Sequence, residues 1–217
     1  MSEIQNNMVA LQSQPVQKPF DVLRRFARTR APAERCEICG AEISHEHEHL
    51  VEIANRKLLC SCGACSILFS GTGETSRYRR VPRTVRWLES FEMTDAQWES
   101  LSVPINLAFF FHSTPAGRVV AFYPSPAGPI ESLLPLESWH ELLAINPVLE
   151  TMEPDVEALL VNRVGDHHAY YLAPVDKCYE LVGLIRMKWA GLSGGTEVWR
   201  EITRFFNELR QRSTPGA

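Results

Sequence analysis

Five of the six cysteines in this chain fall within 30 residues, at Cys36, Cys39, Cys60, Cys62 and Cys65. They read C-x2-C-x20-C-x-C-x2-C, and Gly40 follows the first pair directly. A two-residue gap lets both thiolates of a tight turn face one metal ion, and two such turns together supply a tetrahedral sulfur set. The first turn, Cys36-Glu37-Ile38-Cys39-Gly40, has the form of a zinc-ribbon or rubredoxin knuckle, in which glycine tolerates a positive φ. The second is drawn as Cys62-Gly63-Ala64-Cys65, fed by a short strand, Lys57-Leu58-Leu59-Cys60. The candidate metal ligands are therefore Cys36, Cys39, Cys62 and Cys65. Cys60 is left over. It reads as a small buried hydrophobe, or alternatively as a ligand in place of Cys62 or a redox partner beside the site.

Four thiolates suit zinc and also iron. A closed four-cysteine site leaves no position for substrate, so the reading is a structural zinc that stabilises a module too small to fold on apolar burial alone. The alternative is a redox-active iron of the rubredoxin type or an iron–sulfur cluster. Disulfides fit less well, given the close spacing, the odd number of thiols in the cluster and no secretory signal. Between the knuckles runs His45-Glu46-His47-Glu48-His49. Strand alternation would put three imidazoles on one face, where they could hold a metal transiently. A solvated hairpin tip is the plainer expectation, and His49 in place of one cysteine is a lesser option.

Length and an apolar content of 45% allow one compact domain with a small appended module. No apolar run approaches the length of a membrane span. The polar stretch 1–17 reads as a disordered tail rather than a signal peptide, and the protein is expected to be cytoplasmic. Charge is uneven: residues 1–90 carry 13 Lys and Arg against 10 Asp and Glu, and residues 91–217 carry 9 against 16. The basic stretch Arg77-Tyr78-Arg79-Arg80-Val81-Pro82-Arg83 could meet nucleic acid. The overall acidity argues instead for a solvated or partner-binding face.

Residues 18–90 are expected to hold a short amphipathic helix from Pro19 to Ala27 followed by the metal module, and residues 91–217 an α+β domain. Thr94, with Gln97 three residues on, predicts a capped helix start. Ile105-Asn106-Leu107-Ala108-Phe109-Phe110-Phe111 is nearly unbroken apolar sequence, hence a strand buried on both faces. It turns through Ser113–Gly117 into Val119–Tyr123, with a third strand near Ile130–Leu134. Leu136–Ile145 reads as a helix stopped by Asn146-Pro147. Val156–Val164 and Ala169–Leu172 read as strands. Pro174 opens a helix to about Trp189, and a last helix to about Arg210 should bury Val198, Trp199, Ile202, Phe205, Phe206 and Leu209. Strands mixed irregularly with helices give the α+β class.

Other chemistry is sparse. His112 reads as a satisfied polar group at a strand end, His167 and His168 as a loop, and Cys178 as core. Ser193-Gly194-Gly195-Thr196 reads as a helix–helix turn rather than an anion site. No motif shows an activated nucleophile or an acid/base pair, so no enzyme is recognised.

Several stretches, among them Arg35-Cys36-Glu37-Ile38-Cys39-Gly40, Leu107–Ser113 through Gly128, Glu153–Leu160 and Gly191–Gly195, are similar to a family of proteins of unassigned function. Its members are encoded beside high-affinity uptake nickel–iron hydrogenases of the actinobacterial type. The resemblance covers roughly residues 20–212. It implies a role in hydrogenase assembly, maturation or electron transfer, with a hydrogenase subunit or maturation protein as partner, and it brings no assigned site residues.

Overall fold

The computed structural model describes residues 33–71, 76–133, 135–165, 168–191 and 194–216. The tail over 1–17, the helix over 19–27, His167 and Ser193 lie outside the described residues, while His168 is exposed outside any helix or strand. Glu34–Ala217 form one compact unit.

A three-stranded antiparallel sheet comes first. It contains β1 (Glu48–Glu52), β2 (Lys57–Ser61) and β3 (Tyr78–Arg80), in the order β2-β1-β3. The β1–β2 turn closes because the Asn55 side chain accepts from Lys57 N–H at 3.0 Å and Arg56 takes φ 57°. Leu50, Val51 and Leu59 are buried. A short helix, α1 (Gly63–Leu68), follows β2 directly.

The rest of the chain builds a seven-stranded sheet. Its strands are β4 (Arg86–Leu88), β5 (Leu107–Ser113), β6 (Arg118–Ser125), β7 (Gly128–Ser132), β8 (Glu157–Asn162), β9 (Ala169–Pro174) and β10 (Thr214–Gly216), in the order β10-β4-β9-β8-β5-β6-β7. All pairings are antiparallel except β10 with β4. Four helices accompany it: α2 (Asp95–Ser100), α3 (Leu136–Ile145), α4 (Val175–Lys188) and α5 (Gly195–Arg212). The mixed architecture is the α+β class read from the sequence.

The apolar run in β5 has the predicted cause. Alternate side chains enter different layers. Phe109 and Phe111 pack with Leu160, Leu181 and Phe206 on the α4–α5 side. Ala108 and Phe110 pack with Trp98, Trp139 and Leu142 on the α2–α3 side. Thr94 caps α2 through the capping box with Gln97, and α3 spans the expected residues. The apolar stripe of α5 buries Val198, Ile202, Phe205, Phe206 and Leu209. Trp199, expected in that core, is instead 41% exposed and meets Trp189 edge to face at the helix start.

Strand edges differ from expectation by a few residues. Ile105 is 40% exposed and precedes β5, while β7 begins at Gly128, whose φ of +123° favours glycine. The two sheets are joined rather than merely adjacent. Val51 and Val81 of the small-sheet region lie in the same apolar cluster as Phe109 and Leu160. Arg79 donates to the Pro154 carbonyl at 2.9 Å. The strand β4, which precedes residue 91, belongs to the large sheet. No helix among the described residues is long and apolar enough to cross a membrane.

Candidate metal centre

The first cysteine pair sits on a tight turn. Gly40 N–H donates to the Cys36 carbonyl at 2.8 Å, and Cys36 N–H donates to the Ala41 carbonyl at 2.8 Å. Gly40 takes φ +76°, where a side chain would be strained. The second pair opens α1. Cys62 is the N-cap in extended backbone, and its Sγ accepts from Cys65 N–H at 3.4 Å. In an N-cap, the side chain points back over the first turn. That direction, three residues before Cys65, aims both sulfurs to one side.

Glu37 brings the turn and the hairpin together. Its N–H donates to the Cys60 carbonyl at 2.9 Å, and its carboxylate accepts from Cys60 N–H at 2.8 Å and from Lys57 Nζ at 3.1 Å. Burial pushes the Glu37 carboxyl up, but the Cys60 N–H and Lys57 outweigh it and hold it below its usual range. Sequence reading passed over Glu37, because its role depends on the fold of β2 beside the knuckle.

The result is a convergence of four sulfurs. The Sγ atoms of Cys36, Cys39, Cys62 and Cys65 all lie within 4.8 Å of one another. Cys39 and Cys62 are 3.7 Å apart. Zinc–sulfur bonds of about 2.3 Å in a tetrahedron give sulfur–sulfur edges of about 3.8 Å. The set therefore fits a four-coordinate ion with little adjustment, and it could hold a metal. Cys36 and Cys65 are buried, and Cys39 is exposed.

The electrostatics of the four thiols favour a cation. Burial raises the Cys36 pKa, but hydrogen bonds from the backbone of Cys39, Cys62 and Ile38 outweigh it and bring the thiol down to about 6. Cys65 is pushed up to about 12 by burial first, then by sharing hydrogen bonds with Cys39, Cys62 and Cys36. One sulfur ionises readily, while burial above all holds its neighbour protonated. A divalent ion removes that conflict, because thiolates rather than thiols are the ligands.

Cys60 stands outside this set and groups instead with His47 and His49, whose ligand atoms lie within 4.8 Å of its sulfur and of each other. It is half-buried, so it is not the fully enclosed hydrophobe of the plainer reading. Of the three histidines expected on one face, His47 and His49 do stand together, while His45 is exposed in a bend. The solvated-tip expectation fails for His47, whose side chain is only 9% exposed.

The remaining candidates divide. Cys178 is fully buried in α4, where burial raises its thiol well above the ordinary range, as a core residue should be. His112 does not have the satisfied environment expected of it: its Nδ1 is buried without a hydrogen-bond partner among the described residues. The arginines of the basic stretch are engaged within the chain. Arg77 pairs with Glu52, Arg79 with Asp155, and both Arg80 and Arg83 with Glu48.

A family model described as "Family of unknown function (DUF5947)" matches residues 35–213, and the chain belongs to that family. The match begins one residue before the first ligand candidate and runs to the end of α5, so it takes in both the sulfur cluster and the large sheet. No curated protein and no solved structure matches the chain.

Proposed function

We propose that this chain is a non-catalytic metal-binding accessory protein. Cys36, Cys39, Cys62 and Cys65 hold one structural zinc, and the large sheet forms the body that carries the module. The convergence of four sulfurs within 4.8 Å carries the reading. The donor set is closed: four thiolates complete zinc's tetrahedron and leave no position for a substrate. When bound, the ion supplies a cross-link between the knuckle and the first turn of α1, which share no continuous strand.

A binding role is supported by the surface next to the site. Ile67, Leu68 and Phe69, at the end of α1, are 69%, 77% and 45% exposed. Adjacent large apolar side chains in water are a feature of interaction surfaces. The family resemblance in the sequence suggests the partner: a structural subunit or maturation protein of an uptake nickel–iron hydrogenase. The second reading is a rubredoxin-like iron protein passing electrons to or from that hydrogenase. The exposure of Cys39 favours it, since an electron-transfer centre must be reachable.

Metal analysis and a visible spectrum of protein purified without oxygen separate the two. Zinc gives a colourless protein, and iron–thiolate absorbs visible light. A tagged chain expressed in its own host should retain a hydrogenase component on an affinity column, and Leu68→Asp should release it without loss of metal. Retention of no hydrogenase component, under conditions where the hydrogenase is made, would sink the accessory role.

A further inference from the structure

We propose that His47, His49 and Cys60 form a second metal site, separate from the four-sulfur centre. It takes a zinc-like first-row transition ion through three protein ligands and leaves one position open to a cleft.

The strands put the three residues together. In the β1–β2 register, His49 lies directly opposite Cys60, and directly opposed side chains on one face are near neighbours. His47 precedes His49 by two residues, so extended backbone turns both rings to the same side. The ring centroids are 4.7 Å apart at an interplanar angle of 70°. The ligand atoms of all three residues lie within 4.8 Å of one another. A bound ion would draw them to about 3.5 Å, given bonds of about 2.0–2.3 Å.

The hydrogen bonds fix which nitrogens are free. His47 Nδ1 is 2.9 Å from the Ser44 carbonyl. A carbonyl only accepts, so Nδ1 carries the proton and the lone pair of the neutral ring is on Nε2. Nε2 is buried and has no hydrogen-bond partner among the described residues, in a side chain that is 9% exposed. Buried polar atoms are rarely left so, and a metal ion would occupy that lone pair. His49 is held in the same sense. Its Nδ1 is 2.9 Å from Asp176 Oδ2, which leaves Nε2 free. A carboxylate behind a histidine fixes the ring and raises its basicity as a ligand. Asp176 opens α4, 127 residues away in sequence, so the large domain supplies the orienting group for a site on the small sheet.

The fourth position would open toward a cleft beside the two histidines. A cleft of about 490 Å³ is lined by His47 and His49 together with His45, Asp176, Glu180 and Glu208. Three protein ligands with a fourth position for water or an exchangeable group is the pattern of reactive zinc sites, in contrast to closed structural ones. Two imidazoles and one thiolate select a borderline transition ion over magnesium or calcium, which prefer oxygen. The site thus differs in kind from the four-sulfur centre: it can exchange its ion or present it to a small ligand in the cleft.

The test is zinc(II) titrated into metal-free full-length protein, with bound ions counted by native mass spectrometry and folding followed by circular dichroism. Wild type should take up two ions. Cys60→Ser and His47→Gln should each take up one, held by the four-sulfur centre. Cys39→Ser should also take up one, held by the second site. One ion in wild type that Cys60→Ser leaves in place and Cys39→Ser removes would overturn the proposal. So would two ions undiminished in both Cys60→Ser and His47→Gln, or loss of both ions in each of those variants. One ion in wild type that Cys60→Ser removes and Cys39→Ser leaves would support the second site while overturning the four-sulfur reading.

Discussion

Phe110 in β5 is fully buried, stacked on Trp139 and edge-on to Trp98. Cys36 is just as deeply buried, but its neighbours are three other sulfurs. The two residues stand for two ways of holding backbone in place. The seven-stranded sheet has helices on both faces and an apolar layer under each, so dispersion and the hydrophobic effect suffice. Residues 34–43 and 62–69 have few apolar side chains to bury. Their knuckle and short helix, connected through Glu37 and the sulfur cluster, rely on directed bonds. On the proposed reading, one compact unit contains a part whose stability depends on a ligand and a part whose stability does not.

The largest effect should come from removing the ligand set. Structural zinc contributes on the order of 10 kcal/mol in small metal-dependent modules. Cys36→Ser should therefore release the metal and speed amide exchange in 34–43 and 62–69 by about 100-fold or more, with β5 and β8 as protected as before. Equal loss of protection in β5 would erase the distinction between the regions.

The converse change strikes the apolar layer. Phe110→Ala should destabilise the protein by about 3–5 kcal/mol, read from denaturant unfolding, while the still-folded fraction keeps its full metal content. Loss of metal at denaturant concentrations where the protein remains folded would mean that the centre depends on the large core.

Between the two regions lies Asp155, buried at φ 67°. It pairs with Arg79 of β3 at 3.6 Å and accepts from Thr114 N–H at 2.7 Å and from the Thr114 hydroxyl at 2.5 Å, at the end of β5. Asp155→Ala strands those donors and places alanine in the left-handed region, at a cost of about 2–3 kcal/mol. Asp155→Asn, which tolerates that φ, should cost less. Equal stability of the two variants in thermal unfolding would show that Asp155 does not tie the sheets together. The smallest effect is expected at Arg77, whose side chain is 72% exposed where it pairs with Glu52. Arg77→Ala should leave the unfolding midpoint and the metal content unchanged, since solvent screens such pairs.

Much of the large sheet was legible because its signals are local. The β5 run is buried on both faces, Thr94 and Gln97 sit at capping-box spacing, and Asn146-Pro147 ends α3. The sulfur cluster was legible for the same reason, since a two-residue gap is a local geometry. What escaped was long-range. Thr214–Gly216 has no strand pattern of its own and becomes β10 only by pairing with β4. Trp199 fits the apolar stripe of its helix but lies at the rim, beside Trp189. The histidine alternation could be read directly, whereas the union of His49 with Cys60 needed the hairpin register, and Asp176 needed the whole fold.

The central claim is that the four cysteines bind one ion as a tetrahedral sulfur set. X-ray absorption at the zinc edge tests it most directly in Cys60→Ser protein, where the histidine group is disabled. The expected result is one zinc per chain with four sulfur neighbours at about 2.3 Å. A zinc shell containing nitrogen or oxygen, or no zinc retained at all, would contradict it.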